Sequence, residues 1–99
     1  MRIRYTDRAF ADFDAIYSYL DERAPVAALA VKASIQRSIN RLAEFPLIAP
    51  LTDEPGVHEL TLVRYPYKIY YHIDGDEIRI LHIRDARRRP LDTAPDAAN

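Results

Sequence analysis

Apolar residues recur at helical spacing in two stretches of the first half of the chain. In the first stretch they are Ala9, Phe13, Ile16 and Leu20. In the second stretch they are Ala28, Val31, Ile35, Ile39 and Leu42. Thr6 is a suitable cap for the first helix, Pro25 suits the first turn of the second, and Phe45-Pro46 ends it. Because only two or three residues separate the helices, residues 6–44 are predicted to form an antiparallel helix hairpin.

The second half of the chain changes to the alternating pattern of β-strands. The alternating positions are Leu60, Leu62, Tyr67, Ile69, Tyr71, Ile73, Ile78 and Ile80. The segment Asp74-Gly75-Asp76-Glu77 supplies a turn between the last two strands. Around this turn we expect Ile73 to pair with Ile78, Tyr71 with Ile80, and Ile69 with His82. Residues 2–5 form a further short strand, and residues 47–56, with two prolines, form a loop.

These elements predict an α+β fold with the order β-α-α-β-β-β. It comprises an N-terminal strand, an antiparallel helix hairpin and a three-stranded antiparallel sheet, with the first strand pairing in the same sheet. A chain of 99 residues has room for one domain, which we place at residues 1–90. Residues 91–99 are predicted to be a disordered tail.

One helix hairpin covers only one face of the sheet. The opposite face is then expected to carry Lys68, Tyr70, His72, Arg79, Leu81 and Ile83. In that arrangement Tyr70, Leu81 and Ile83 form an exposed apolar patch beside a row of bases, which is typical of a partner surface. Two alternatives remain open at this point: the register of one strand is misassigned, or the tail folds over the face.

Composition excludes several classes of protein. The chain has no cysteine and a net charge of −1, so a disulfide framework, a thiolate metal site and a strongly basic nucleic-acid binder are ruled out. No apolar run resembles a signal peptide or a membrane span, so we expect a cytoplasmic protein with no membrane partner. There is no Gly-rich phosphate loop, and the acidic turn lacks the further ligands of a calcium loop. No metal and no cofactor are therefore predicted.

Basic side chains near the end of the folded part are the remaining chemical signal. Arg64, Lys68, Arg84 and Arg87 are candidates for contact with a phosphate or with an acidic target. We expect Lys68 and Arg87 to converge on one rim of the sheet. His82 is interpreted as a strand residue with a hydrogen-bonded imidazole. The helix carboxylates are expected on solvated positions; they are Asp12, Asp14 and Asp21.

The order of several short motifs resembles a known family. The motifs, in chain order, are Ile16-Tyr17-Ser18-Tyr19-Leu20, Ala27-Ala28, Ile35 to Leu42 before Phe45-Pro46, Val57-His58-Glu59-Leu60, Arg64-Tyr65-Pro66-Tyr67-Lys68-Ile69-Tyr70-Tyr71, and Glu77-Ile78-Arg79-Ile80-Leu81-His82-Ile83-Arg84 followed by Ala86-Arg87. Over residues 2–89 this succession is similar to the ParE/RelE superfamily, the toxins of type II toxin–antitoxin systems. No single motif is specific, but the ordered set is.

The resemblance implies a toxin that is neutralised by a cognate antitoxin, with the same β-α-α-β-β-β fold. It also implies one of two activities. RelE-like members cut mRNA in the ribosome with basic side chains on the sheet, whereas ParE-like members poison DNA gyrase. By strand position, Lys68 and Arg87 fall where RelE-like members place two key arginines. Two lysines of that site map onto Glu59 and Thr61, and its C-terminal tyrosine maps onto about Thr93.

These three departures favour a ParE-like inhibitor of DNA gyrase. The alternatives are a RelE-like, metal-independent, ribosome-dependent mRNA endoribonuclease, in which Lys68 and Arg87 would be catalytic, or a toxin-fold protein without toxicity. The expected partners are a cognate antitoxin and gyrase, or the ribosome in the first alternative. Sequence-specific DNA binding is not expected. Tyr70, Leu81 and Ile83 are the antitoxin-contact candidates, because an apolar patch flanked by bases suits an acidic amphipathic peptide.

Overall fold

A computed structural model describes residues 1–87 of the chain. Its elements are β1 (Arg2–Tyr5), α1 (Asp7–Arg23), α2 (Pro25–Glu44), β2 (Val57–Thr61), β3 (Tyr67–Asp74) and β4 (Glu77–Asp85). This order confirms the predicted β-α-α-β-β-β arrangement. The tail predicted at residues 91–99 lies outside the described residues.

All four strands belong to one sheet, in the order β1-β4-β3-β2. The pairs β2–β3 and β3–β4 are antiparallel. β1 pairs in parallel with β4. The N-terminal strand therefore joins the sheet, as expected. It lies beside the last strand, β4, and the helix hairpin that follows it packs across one face of the sheet.

The predicted helix boundaries rest on local chemistry that the structure shows. The hydroxyl of Thr6 accepts the backbone N–H of Ala9 at 3.0 Å, which caps α1. Pro25 opens α2, where a missing N–H costs nothing. All five predicted apolar positions of α2 are buried. In α1 Ala9 is buried, while its other predicted positions, Phe13, Ile16 and Leu20, are partly buried and pack against the core.

The hairpin covers one face of the sheet, where β3 and β4 contribute the fully buried side chains Ile69, Tyr71, Ile78 and Ile80. Burial of side chains of this size contributes about 1.5–3 kcal/mol each, which makes this layer the main source of stability. Within residues 1–87, no helix has both the length and the apolar character that crossing a membrane requires.

A β-bulge in the β3–β4 pair corrects part of the predicted register. Ile73 pairs with Ile78 and Tyr71 with Ile80, as expected, but the register then shifts between Tyr70 and Tyr71. Leu81 is the extra residue of the bulge, since Tyr70 pairs with His82. The expected pairing of Ile69 with His82 was therefore wrong.

The bulge also moves Ile83 to the other face of the sheet. Ile83 pairs with Ile69 and is only 4% exposed, inside the hydrophobic core. The expectation that Ile83 contributes to an exposed patch was wrong, because one extra residue in a strand turns every later side chain over. This core position also removes the basis on which Ile83 was an antitoxin-contact candidate.

Thr6 and Asp12, at the start of the hairpin, satisfy backbone groups of β4 at and beyond the end of β1. The backbone N–H of Thr6 donates to the carbonyl of Ile80 at 3.0 Å, and the Thr6 hydroxyl donates to the carbonyl of Leu81 at 2.8 Å. One carboxylate oxygen of Asp12 accepts the N–H of Ile83 at 3.0 Å. The expectation that Asp12 lies on a solvated position was therefore wrong. Its carboxylate takes the place of the strand that would otherwise accept this N–H.

The predicted turn between β3 and β4 is present, and it holds two residues, Gly75 and Asp76. Gly75 has a φ of 63°, which a glycine adopts without strain. Arg79 contacts the carboxylates of Asp74 at 3.2 Å and Glu77 at 3.3 Å. Asp74 and Glu77, on either side of this turn, therefore form ion pairs at the end of the two central strands.

Candidate functional site

The face opposite the hairpin, here called the open face, has a polar and aromatic centre. Residues that pair across strands share a face. Glu59, Tyr70 and His82 form one such row across β2, β3 and β4. The next row contains Thr61, Lys68 and Arg84. The sequence predicted Lys68 and Tyr70 on this face, and both are there, half-buried.

An ion pair occupies the position where a phosphate contact was predicted. The ammonium of Lys68 lies 3.1 Å from a carboxylate oxygen of Glu59, with side-chain exposures of 33% and 28%. The two residues lie on neighbouring strands, two positions out of direct register, so their long side chains meet diagonally on the same face. The charge of Lys68 is consequently compensated within the chain.

The Tyr70 and His82 rings stack on the open face, with centroids 4.4 Å apart and planes inclined by 13°. The pKa of His82 is lowered from 6.5, chiefly by burial and further by the charge of Arg8. Its Nδ1 atom is buried and has no hydrogen-bond partner within residues 1–87. The expectation of a hydrogen-bonded imidazole was wrong at this nitrogen, because the ring is held by stacking.

The phenol of Tyr70 is held in its neutral form. Burial raises its pKa above 10.0, and the neighbouring Glu59 raises it further through a hydrogen bond and through its charge. Lys68 and Arg84 oppose this shift. At neutral pH Tyr70 can therefore donate a hydrogen bond or stack on a partner ring, but it does not act as a base.

The other candidate bases lie in different places. Arg64 is exposed in the connection between β2 and β3. Arg87, 72% exposed, is held by Asp85, which accepts its Nε at 3.2 Å and its Nη2 at 3.1 Å. Two donors from one guanidinium to one carboxylate fix its orientation. Arg84 is the cross-strand neighbour of Lys68.

Arg87 lines a groove of about 420 Å³ between α1 and the end of the sheet. The groove is lined by Arg8, Asp12, Ala15, Ile16, Tyr19, Leu20, Tyr67, Ile83, Arg84, Asp85 and Arg87. Lys68 is not among these residues, since it points onto the open face toward Glu59. Lys68 contacts Glu59, whereas Arg87 contacts Asp85. Arg84, the cross-strand neighbour of Lys68, lines the same groove as Arg87, so the convergence of Lys68 and Arg87 on one rim stays a prediction.

Of the three residues of the predicted apolar patch, Tyr70 and Leu81 are partly exposed and Ile83 is buried. Leu81 is half-buried at the bulge. The sequence did not identify Glu59 as a partner of Lys68, because that contact depends on the pairing of β2 with β3. Within residues 1–87, His, Asp and Glu side chains form no group of three or more that could hold a metal ion.

Comparisons with known proteins agree on one family. The family described as "ParE toxin of type II toxin-antitoxin system, parDE" matches residues 3–90. The chain is 35% identical to the Y4kP protein of Sinorhizobium fredii over 88 residues, which are 89% of this chain and 91% of that protein. It is 32% identical to Toxin RelE2 of Caulobacter vibrioides over 87 residues, 88% of this chain and 97% of the relative.

A solved structure supports the same assignment. A chain of the chromosomal ParDE TA system from P. aeruginosa superposes with a TM-score of 0.78 at 31% sequence identity. The match covers 88% of this chain and 97% of that chain. The likeness therefore extends over the helix hairpin and the sheet together.

Proposed function

Because the chain belongs to the ParE toxin family of type II toxin–antitoxin systems, we propose that it acts in the cytoplasm as an inhibitor of DNA gyrase. A cognate antitoxin is its partner, as for the family. The observation that carries the proposal is the contact of 3.1 Å between Lys68 and Glu59. That contact occupies the position where an mRNA-cleaving relative would need uncompensated positive charge.

RNA cleavage without a metal needs a base for the 2′-hydroxyl, a cation for the phosphate and an acid for the leaving oxygen. On the open face the carboxylate of Glu59 repels a phosphodiester, and Thr61 adds no charge. The raised pKa of Tyr70 excludes its phenolate at neutral pH. Arg87, the second cation of the nuclease hypothesis, lies in the groove beside α1. These placements disfavour a nuclease.

The gyrase proposal is tested with wild-type protein in two parallel assays. The first measures ATP-dependent supercoiling of relaxed plasmid by gyrase, and the second maps mRNA cleavage by primer extension on translating ribosomes. We expect supercoiling to stop and the mRNA to stay intact. Codon-phased cleavage with normal supercoiling would instead establish the nuclease, which the name of the Caulobacter relative favours. Activity in neither assay would favour a toxin-fold protein without toxicity.

A matched pair of variants locates the contact with the target. Arg87 is exposed, and Asp85 holds its guanidinium in place, so Arg87→Ala is expected to weaken gyrase inhibition at least tenfold. Lys68→Ala is expected to have a smaller effect, because the charge of Lys68 is already compensated. A cooperative thermal transition shows that each variant is folded. Equal inhibition by wild type and Arg87→Ala would exclude this side chain as a target contact.

We also propose that the antitoxin covers Tyr70 and Leu81 on the open face. Both are half-buried although no helix of residues 1–87 lies over them. Leu81→Asp places a charge at the bulge and is expected to reduce recovery of the antitoxin in co-purification. Undiminished recovery with a folded variant would show that the antitoxin binds elsewhere.

A further inference from the structure

The connection between α2 and β2 begins with four consecutive apolar residues, Phe45-Pro46-Leu47-Ile48, here called the apolar turn. Phe45 is 55% exposed, Leu47 76% and Ile48 46%. Single exposed apolar residues are common on protein surfaces, but a contiguous set of large ones marks an interaction site.

Side chains of β2 and β3 hold the apolar turn and the residue that follows it in place. The hydroxyl of Tyr71 donates to the carbonyl of Pro46 at 2.8 Å. Nδ1 of His58 donates to the carbonyl of Ala49 at 2.9 Å. The rings of His58 and Tyr71 stack with centroids 4.9 Å apart. The chain is thus fixed to β3 at Pro46 and to β2 at Ala49, directly after the turn, so little conformational entropy remains to be lost when a partner binds.

One base and one acid flank the turn at the end of α2. Arg41 and Glu44 line the same shallow hollow of about 500 Å³ as the apolar turn. Within residues 1–87 neither side chain forms an ion pair. A carboxylate at the negative end of a helix is unfavourable, and an arginine that precedes a glutamate is the weaker orientation of a helical pair. Glu44 therefore has a charge that a partner's cation would stabilise.

We propose that the apolar turn is the two-fold interface between two copies of this chain. A two-fold contact brings the same patch together with itself, so each charge must meet its opposite. Here Arg41 of each copy would face Glu44 of the other copy, which gives two equivalent ion pairs. The N-terminal ammonium donates to the carbonyl of Ala43 at 3.0 Å, beside this patch. Arg41 and Glu44 are the charged residues that line the hollow itself, and one base with one acid fits a second copy better than it fits a strongly charged partner. This inference is independent of the proposed target.

The experiment uses the full chain, separated from co-expressed antitoxin and refolded, in sedimentation equilibrium over a range of concentrations. A patch this small predicts weak, reversible dimers with a Kd of about 1–100 µM. Arg41→Glu places two acids on the patch and Glu44→Arg places two bases, so each variant alone is expected to weaken dimerisation at least tenfold. Leu47→Asp should do the same without reversing either charge.

Mixing the two charge variants gives the decisive readout. A chain with Glu at 41 and 44 complements a chain with Arg at both, so the equimolar mixture should dimerise at concentrations at which either variant alone is largely monomeric. Arg23→Glu and Glu22→Arg change charge equally at the opposite end of the hairpin and should leave the wild-type dimer unchanged. Circular dichroism and a cooperative thermal transition establish that each variant is folded.

Four outcomes would overturn the inference. They are a wild-type chain that stays monomeric at the highest concentration, a dimer that survives Leu47→Asp and both charge reversals, a mixture that does not recover dimers, and a loss of antitoxin binding in the patch variants. The last result would identify the antitoxin as the occupant of the turn.

Discussion

The carboxylate of Asp12 joins α1 to β4 at a position that β1 does not reach. Removing this carboxylate therefore measures what the contact contributes to stability. Its carboxylate accepts the N–H of Ile83 at 3.0 Å, and the side chain is 27% exposed. An unsatisfied buried N–H costs about 1–3 kcal/mol. Because water can reach part of this position, we expect Asp12→Ala to cost about 1.5 kcal/mol. The contact with Arg8 at 3.8 Å adds little, because that arginine is 67% exposed.

In a domain of this size that loss corresponds to a melting temperature lowered by about 6–12 °C. Asp14→Ala is the matched control, because Asp14 lies on the same helix, is exposed, and gains the same helix propensity from alanine. Asp12→Asn keeps an acceptor oxygen, so its stability should lie between that of Asp12→Ala and that of Asp14→Ala. Calorimetry and urea unfolding give the values. If Asp12→Ala were no less stable than Asp14→Ala, the N–H of Ile83 would have to be satisfied without the carboxylate.

Three further predictions concern single residues. Burial lowers the pKa of His82 below 6.5, so the unfolded chain binds more protons in that range and stability is lost as the pH falls from about 6.5. Urea unfolding of His82→Gln between about pH 7.5 and pH 5 should show a smaller loss than wild type. Glu59→Gln should lower the raised phenol pKa of Tyr70 toward 10.0 in an absorbance titration, while an unchanged pKa would rule out the carboxylate's contribution. Gly75→Ala should cost about 1 kcal/mol in thermal unfolding, since its φ is 63° and no atom crowds the new methyl group.

The helices were predictable because their signal is local. Each of the five apolar positions of α2 faces the core, and the proline at residue 25 and the Phe45-Pro46 pair mark its ends. The hairpin register near Gly75 was equally accessible, because a two-residue turn fixes which residues face each other. These features depend on neighbours within a few positions along the chain.

The sequence analysis did not predict the bulge, although the spacing of the isoleucines in β4 indicates it. Ile78 and Ile80 are two residues apart, but the next buried isoleucine, Ile83, is three residues further on. That change of spacing is what an extra strand residue produces. The role of Asp12 could not have been found, since its partner lies 71 positions away, and nothing in a helical pattern distinguishes it from Asp14.

The bulge decides what kind of partner the open face can accept. A regular strand would have placed Ile83 on this face and made it apolar, as the sequence suggested. Instead Ile83 enters the core, and His82 takes the place beside Tyr70. The compensated charge of Lys68 also makes the face less positive than a count of bases implies. We therefore expect an antitoxin segment over this face to depend less on acidic charge than on apolar and aromatic contact with Tyr70, whose hydroxyl already donates to Glu59.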